Sequence, residues 1–178
     1  LMIEASAYKD LNKIQDSDKY QYVIPNFKIS KLIKNDFIKK GDLIFSSFGS
    51  SQISNTNIKK NYFINEINYN SNDYIYRNGI ISNFDILYKN SIKNGKNSNE
   101  ISSDLKDRNY VSLNYNINYP LKKSSKLYES NLTPKLNLRY SPGKNENNSN
   151  LNRNININNI FSKDRLGLYD ALEVGQSM

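Results

Sequence analysis

The chain has 178 residues, with 25 Lys and Arg against 17 Asp and Glu for a formal charge of +8, and it contains no His, no Cys and no Trp. Without an imidazole or a thiol there is no Ser-His-Asp or Cys-His system, no disulfide, and no zinc, haem or iron-sulfur centre ligated by those residues. The remaining reactive types, carboxylates, Lys, Ser and Tyr, are scattered without a catalytic spacing, so the expectation is a protein that is not an enzyme, with no catalytic residue, cofactor or metal.

Asn accounts for 31 residues and Tyr for 14. Asn, Lys, Ile and Tyr share codons rich in A and T, so a biased genome would raise all four together and weakens any argument from net charge. The lysines come as short pairs in stretches that read as turns, Lys39-Lys40, Lys59-Lys60 and Lys122-Lys123. That pattern favours solvated loops over a nucleic-acid face, and no nucleic-acid partner is expected. A mean hydropathy of -0.74 is low enough for a disordered chain. An aromatic share of 12% argues the other way, because disordered chains are poor in aromatics.

In chain order, residues 3–8 read as a short strand and 20–29 as a longer one. Residues 30–40 carry the only helical signal, with Leu32, Ile33, Phe37 and Ile38 at loose three-four spacing. Strands follow at 41–54, 61–70 (Phe63, Ile67 and Tyr69 on one face) and 79–88 (Ile80, Phe84, Ile86 and Tyr88 against Asn83 and Asp85). Asn78-Gly79 and Asn94-Gly95 have the chemistry of tight turns. Residues 70–73, 90–107, 120–130 and 142–154 read as connections.

Residues 110–119 alternate almost without error, with Val111, Leu113, Tyr115, Ile117 and Tyr119 facing one way and Ser112, Asn114, Asn116 and Asn118 the other. Residues 132–141 repeat the pattern, Leu132, Pro134, Leu136, Leu138 and Tyr140 against Thr133, Lys135, Asn137, Arg139 and Ser141. Pro134 inside a strand would remove a ladder hydrogen bond and marks a bulge or weak pairing. A last strand is expected at 171–177, where Glu173 shares the face opposite Leu172 and Val174.

Long antiparallel strands with one apolar and one polar face have two solutions. Two sheets bury their apolar faces against each other, or one sheet closes into a membrane barrel with the apolar face on lipid. Three features favour the barrel: strands near the 9 to 11 residues that cross a bilayer at a slant, polar faces of nearly continuous Asn and Ser, and Tyr near strand ends. The tyrosines in question are Tyr20, Tyr62, Tyr69, Tyr88, Tyr110, Tyr119 and Tyr140. The expected fold is therefore all-β, an antiparallel up-and-down sheet forming part of a transmembrane outer-membrane β-barrel. Residues 1–178 are read as a partial barrel domain truncated at both ends, since the chain opens on Leu1 and stops within its last expected strand.

The segment Asn159-Ile160-Phe161-Ser162-Lys163-Asp164-Arg165-Leu166-Gly167-Leu168-Tyr169-Asp170-Ala171-Leu172-Glu173-Val174-Gly175 resembles a signature in the barrel of the outer-membrane lipopolysaccharide-assembly family, LptD. In that family an Asn-x-Phe is followed by Arg, Gly, Asp, Glu and Gly at near-fixed offsets. Tyr119-Pro120-Leu121, Leu132-Thr133-Pro134 and Ser141-Pro142 are similar to the preceding part of the same barrel. Ala7-Tyr8-Lys9-Asp10-Leu11, Asp18-Lys19-Tyr20 and Ile24-Pro25 look like an earlier part. Two positions depart from the pattern: Gly167 stands two residues after Arg165 rather than three, and Ala171 follows Asp170 where the family often has Arg.

The resemblance implies a component of the machinery that inserts lipopolysaccharide into the outer leaflet of the cell outer membrane. Its partners would be lipopolysaccharide, outer-membrane lipid, a plug lipoprotein (LptE-like) and a periplasmic bridge protein (LptA-like). It also implies a signature set of Asn159, Phe161, Asp164, Arg165, Asp170, Glu173 and Gly175, structural or facing the lumen. The strand pattern adds Lys135, Asn137 and Arg139 as polar contacts in the lumen, of which Lys135 and Arg139 could meet lipid phosphates. The reading from a different class is another outer-membrane barrel or surface β-protein, porin-like or an adhesin.

Overall fold

A computed structural model describes residues 1–9, 20–34, 40–99 and 101–142. The strand expected at 171–177, the loop beyond residue 142 and the whole signature Asn159, Phe161, Asp164, Arg165, Asp170, Glu173 and Gly175 lie outside the described residues.

The described chain is all-β and contains no α-helix: β1 (Met2–Lys9), β2 (Tyr20–Ile33), β3 (Gly41–Ser54), β4 (Lys59–Ser71), β5 (Tyr74–Ile75), β6 (Ile81–Lys96), β7 (Lys106–Asn118), β8 (Leu121–Ser124), β9 (Glu129–Leu132) and β10 (Lys135–Tyr140). One antiparallel sheet runs β1-β2-β3-β4-β6-β7-β10, each strand beside its predecessor apart from two insertions. The two-residue β5 pairs with the start of β6, and β8 and β9 form a separate hairpin between β7 and β10. β1 and β10 are the edges, so the sheet is open among the described residues. Among the described residues, contacts between elements run only along these ladders, so the described strands form a single layer.

Strand β3 occupies residues 41–54 as its alternation predicts, and β7 carries the predicted faces in register. Three expectations are corrected. The segment read as helical begins as strand, because residues 30–33 continue β2 and pair with Ser46, Phe45, Ile44 and Leu43; two apolar pairs at short spacing fit either period, and the β3 ladder decides. Residues 35–39 lie outside the described set.

The connection expected at 90–107 is mostly strand: β6 runs to Lys96 and Asn94-Gly95 lies inside it, not in a turn. Gly95 serves close approach there, since a Cβ would come within 2.8 Å of the Ile101 carbonyl oxygen. Asn78-Gly79 is the turn expected, with Gly79 at φ 85° and its amide donating to Tyr76 O at 2.9 Å. Pro134 lies between β9 and β10, where its missing N–H interrupts no ladder and its carbonyl accepts from Tyr119 N at 3.0 Å.

Strand β2 bends once. Its register with β3 slips between Val23 and Asn26, across the cis Ile24–Pro25 peptide; Asn26 resumes the pairing opposite Ser50, and Phe27 follows opposite Gly49. Phe27 occupies the space a Gly49 side chain would fill, which fixes why glycine stands at that point of a central strand.

Candidate functional site

The two faces of the sheet differ in chemistry, and the sheltered face is the more polar one. On β6, Asp85, Leu87, Lys89 and Ser91 are buried, while Phe84 and Ile86 on the other face are exposed. On β7, Tyr110, Ser112 and Asn114 are buried and Leu113 and Tyr115 are exposed. The ladders carry these faces outward: Phe63 and Ile67 of β4 and Leu136, Leu138 and Tyr140 of β10 all join the exposed side. Most sheltered side chains are polar or charged, with Ile64, Leu87 and Tyr110 among them, and many large apolar ones are presented outward.

The sheltered face is a graded polar surface. One register row runs Asp42, Asn70, Asp85, Asn114, Arg139 across β3, β4, β6, β7 and β10. Asp85 is only 2% exposed, and its Oδ2 accepts from Asn116 Nδ2 at 2.9 Å. The same Asn116 amide donates to Asn83 Oδ1 at 2.8 Å, and Asn83 Nδ2 in turn donates to Asp73 Oδ1 at 2.6 Å. Four residues along, Lys89 lies between Glu66 and Tyr110 in register and is 3% exposed. A buried ammonium is tolerated only with such partners, because desolvation disfavours its charged form.

The sequence-derived candidates Lys135, Asn137 and Arg139 share this face, as their alternation predicts. Asn137 donates through Nδ2 to Asn116 Oδ1, and Arg139 Nη2 donates to Tyr110 Oη at 2.8 Å. Both therefore fasten the edge strand β10 to β7, while Lys135 is exposed. Asp85, Lys89 and Glu66 extend the set. Asp85 is visible in the sequence as the polar partner of Phe84 and Ile86, but nothing local marks Lys89 or Glu66, whose pairing depends on strands folded from distant segments.

The exposed face is apolar but crossed by two ladders of amides. Ser47 Oγ donates to Asn65 Oδ1 at 2.9 Å, Asn65 Nδ2 to Asn90 Oδ1 at 3.5 Å, and Asn90 Nδ2 to Asn109 Oδ1 at 3.0 Å and Asp107 Oδ1 at 2.6 Å. Four residues along the strands, Ser51 Oγ donates to Asn61 Oδ1 at 2.8 Å and Asn61 Nδ2 to Asn94 Oδ1 at 3.0 Å. Apart from the diagonal Asn90–Asp107 bond, each rung joins residues directly opposite in register, so amides on this face are tied to one another. These rungs hold the Asn-rich half of β6 in the sheet.

The apolar belt slants across the strands. On β10 it centres on Leu138, which lies in the register row of Tyr115 and Phe84; on β2 it centres near Ile29, in the row of Ser47, Asn65 and Asn90. Five strand steps separate β10 from β2, and the belt moves six residues along the register over them, from the row of Phe84 to the row of Asn90. At about 3.3 Å per residue and about 4.8 Å per strand the slant is roughly 40°, within the tilt typical of strands that cross a membrane.

The tyrosine pattern is only partly at strand ends. Tyr20 opens β2, Tyr140 closes β10 and Tyr119 follows β7, but Tyr88 stands mid-strand in β6 and Tyr110 is buried on the polar face. The sequence reading of the lysines as turn pairs is also corrected. Lys59-Lys60 opens β4 and Lys122-Lys123 lies in β8; in the main sheet the ladders gather lysines from three separate segments.

Among the described residues no group of carboxylates is placed to hold a metal ion, and no helix is long and apolar enough to cross a membrane. No known protein family, curated protein or solved structure matches this chain.

Proposed function

We propose that this chain is part of a transmembrane β-barrel in an outer membrane, and that it belongs to the lipopolysaccharide-assembly machinery of the LptD type. The observation that carries the barrel reading is the inverted burial. Asp85, Lys89, Ser91, Ser112 and Asn114 are sheltered while Phe63, Ile67, Phe84, Ile86, Leu113 and Leu138 are exposed on a single-layer sheet. Water favours the reverse arrangement; lipid on one side and a wet lumen on the other favour this one. The oblique belt supports it, because strands tilted by about that angle present a level band to a bilayer.

In this role the protein is a conduit and breaks no bonds. The sheltered face, rich in Asn and Ser with Arg139 and Lys135 at one side, offers donors and acceptors suited to sugar hydroxyls and phosphates. The lipopolysaccharide assignment, with a plug lipoprotein and a periplasmic bridge as partners, rests on the ordered resemblance of Tyr119-Pro120, Leu132-Thr133-Pro134, Ser141-Pro142 and residues 159–175. The deciding experiment is depletion in the native host. Newly made lipopolysaccharide should stop reaching the cell surface while the protein fractionates with the outer membrane. Normal surface delivery with the protein in that fraction leaves another outer-membrane barrel as the reading, and a cytosolic location removes both.

A further inference from the structure

The end of the sheet formed by the β3–β4 and β6–β7 connections concentrates positive charge in a way that opposes folding. Lys59 of β4 lies directly opposite Lys96 of β6 on the exposed face, and Lys93 of β6 lies directly opposite Lys106 of β7 on the sheltered face. Like charges in register repel and destabilise a strand pair. Lys60 stands next to this group, and among the described residues the acidic ones at the same end are Asp104 in the β6–β7 connection and Asp107 of β7, whose Oδ1 already accepts from Asn90.

The two hairpin ends are locked together beneath and around the lysines. Asn97 Nδ2 donates to Asn57 O at 3.2 Å, joining one connection to the other, and the Asn61–Asn94 rung sits two residues below the Lys59–Lys96 pair. Asn57 and Asn97 both hold positive φ, 61° and 55°, conformations that Asn adopts more readily than most residues. The repulsion is thus built into a fixed scaffold.

Lys59 and Lys96 lie on the exposed face, the side of the apolar belt. Each is four residues beyond the last large apolar side chain of its strand on that face, Phe63 on β4 and Ile92 on β6. Four residues are about 13 Å along the strand and about 10 Å along the normal to the belt at the slant derived above. The headgroup zone of a bilayer extends roughly 5 to 8 Å beyond the hydrocarbon, and a lysine stem that lies along apolar surface spans the difference.

We propose that Lys59 and Lys96 form a rim that binds the phosphates of anionic lipid headgroups at the membrane surface. The proposal rests on the membrane reading of the exposed face. It goes beyond that reading by naming the site, the lipid chemistry and the end of the sheet that meets it. A lipid phosphate between Lys59 and Lys96 replaces their mutual repulsion with two charge-assisted contacts.

The test is partition of the full polypeptide into vesicles of phosphatidylcholine alone or mixed equally with phosphatidylglycerol, followed by flotation at low salt. The unaltered protein should favour the anionic vesicles, and the Lys59→Gln/Lys96→Gln variant should lose roughly fivefold of that preference for each lysine removed. A control of equal charge, Lys122→Gln/Lys123→Gln in the separate β8–β9 hairpin, should keep it. Equal loss in both variants, or none in the first, overturns the rim. Loss of the preference on adding inorganic phosphate at matched ionic strength also overturns it, in favour of a soluble anion site. Failure to enter either vesicle overturns the membrane reading itself.

Discussion

Replacing Leu113 by Arg separates a lipid-facing surface from a watery one. Leu113 is 41% exposed on β7, with Ile86 opposite it on β6 and Tyr140 opposite it on β10, and no second layer among the described residues covers it. In water the change removes two cross-strand apolar contacts of about 0.2 to 1 kcal/mol each and leaves the long Arg stem to cover part of the same surface, a net cost under about 1 kcal/mol. Facing hydrocarbon, the same guanidinium costs about 2 to 4 kcal/mol near the mid-plane. Leu113 and Leu138 lie near the middle of the belt on their strands, so the larger figure is expected. The assay is reversible urea titration of the full polypeptide folded into vesicles. Leu127→Arg serves as the neutral reference, because Leu127 is 93% exposed in the β8–β9 turn, away from the main sheet. A Leu113→Arg effect no larger than that of Leu127→Arg would show that this face meets water and that the burial inversion has another cause.

Asn65→Leu should destabilise the folded chain by about 1 to 2 kcal/mol even though it makes the exposed face more apolar, because it deprives Ser47 of its acceptor and breaks the donation to Asn90; chemical denaturation measures it, and a neutral or stabilising result refutes the ladder's role. Gly49→Val should cost about 1 to 3 kcal/mol by displacing Phe27, with the accompanying Phe27→Ala change recovering part of the loss in a double-mutant cycle. Arg139→Met should loosen the edge strand, since it removes the bond to Tyr110 Oη while keeping much of the stem. Hydrogen exchange of β10 amides should quicken several-fold with β3 and β4 unchanged, and uniform quickening across the sheet would refute a local role.

Where the strands could be read from the chain, the reason was one-sided polarity. Residues 110–118 alternate without interruption, and so do 135–140, so period two is visible and the faces follow at once. Residues 89–96, Lys-Asn-Ser-Ile-Lys-Asn-Gly-Lys, carry polar residues on both faces and mimic a loop. Their strand state depends on Asn61, Asn65 and Asn109, partners brought from other strands, and on the space that Gly95 leaves for Ile101. Residues 30–33 failed for the opposite reason: too few apolar positions to distinguish two periods until β3 supplied the pairing.

Among the polar candidates, Lys135, Asn137 and Arg139 were legible because they alternate with Leu136, Leu138 and Tyr140. Lys89 beside Glu66, and Lys59 beside Lys96, were not, because charge pairing across a ladder depends on register between distant segments.

By itself the sequence determined the absence of imidazole and thiol chemistry, the strand character of most of the chain, and which residues share a face, since these follow from side-chain identity and a period of two. The tertiary structure decided which of the two faces is sheltered, which amides satisfy one another, and that Lys59 meets Lys96 at one end of the sheet. Those outcomes depend on the stacking of strands in register. A single strand has two faces but no inside.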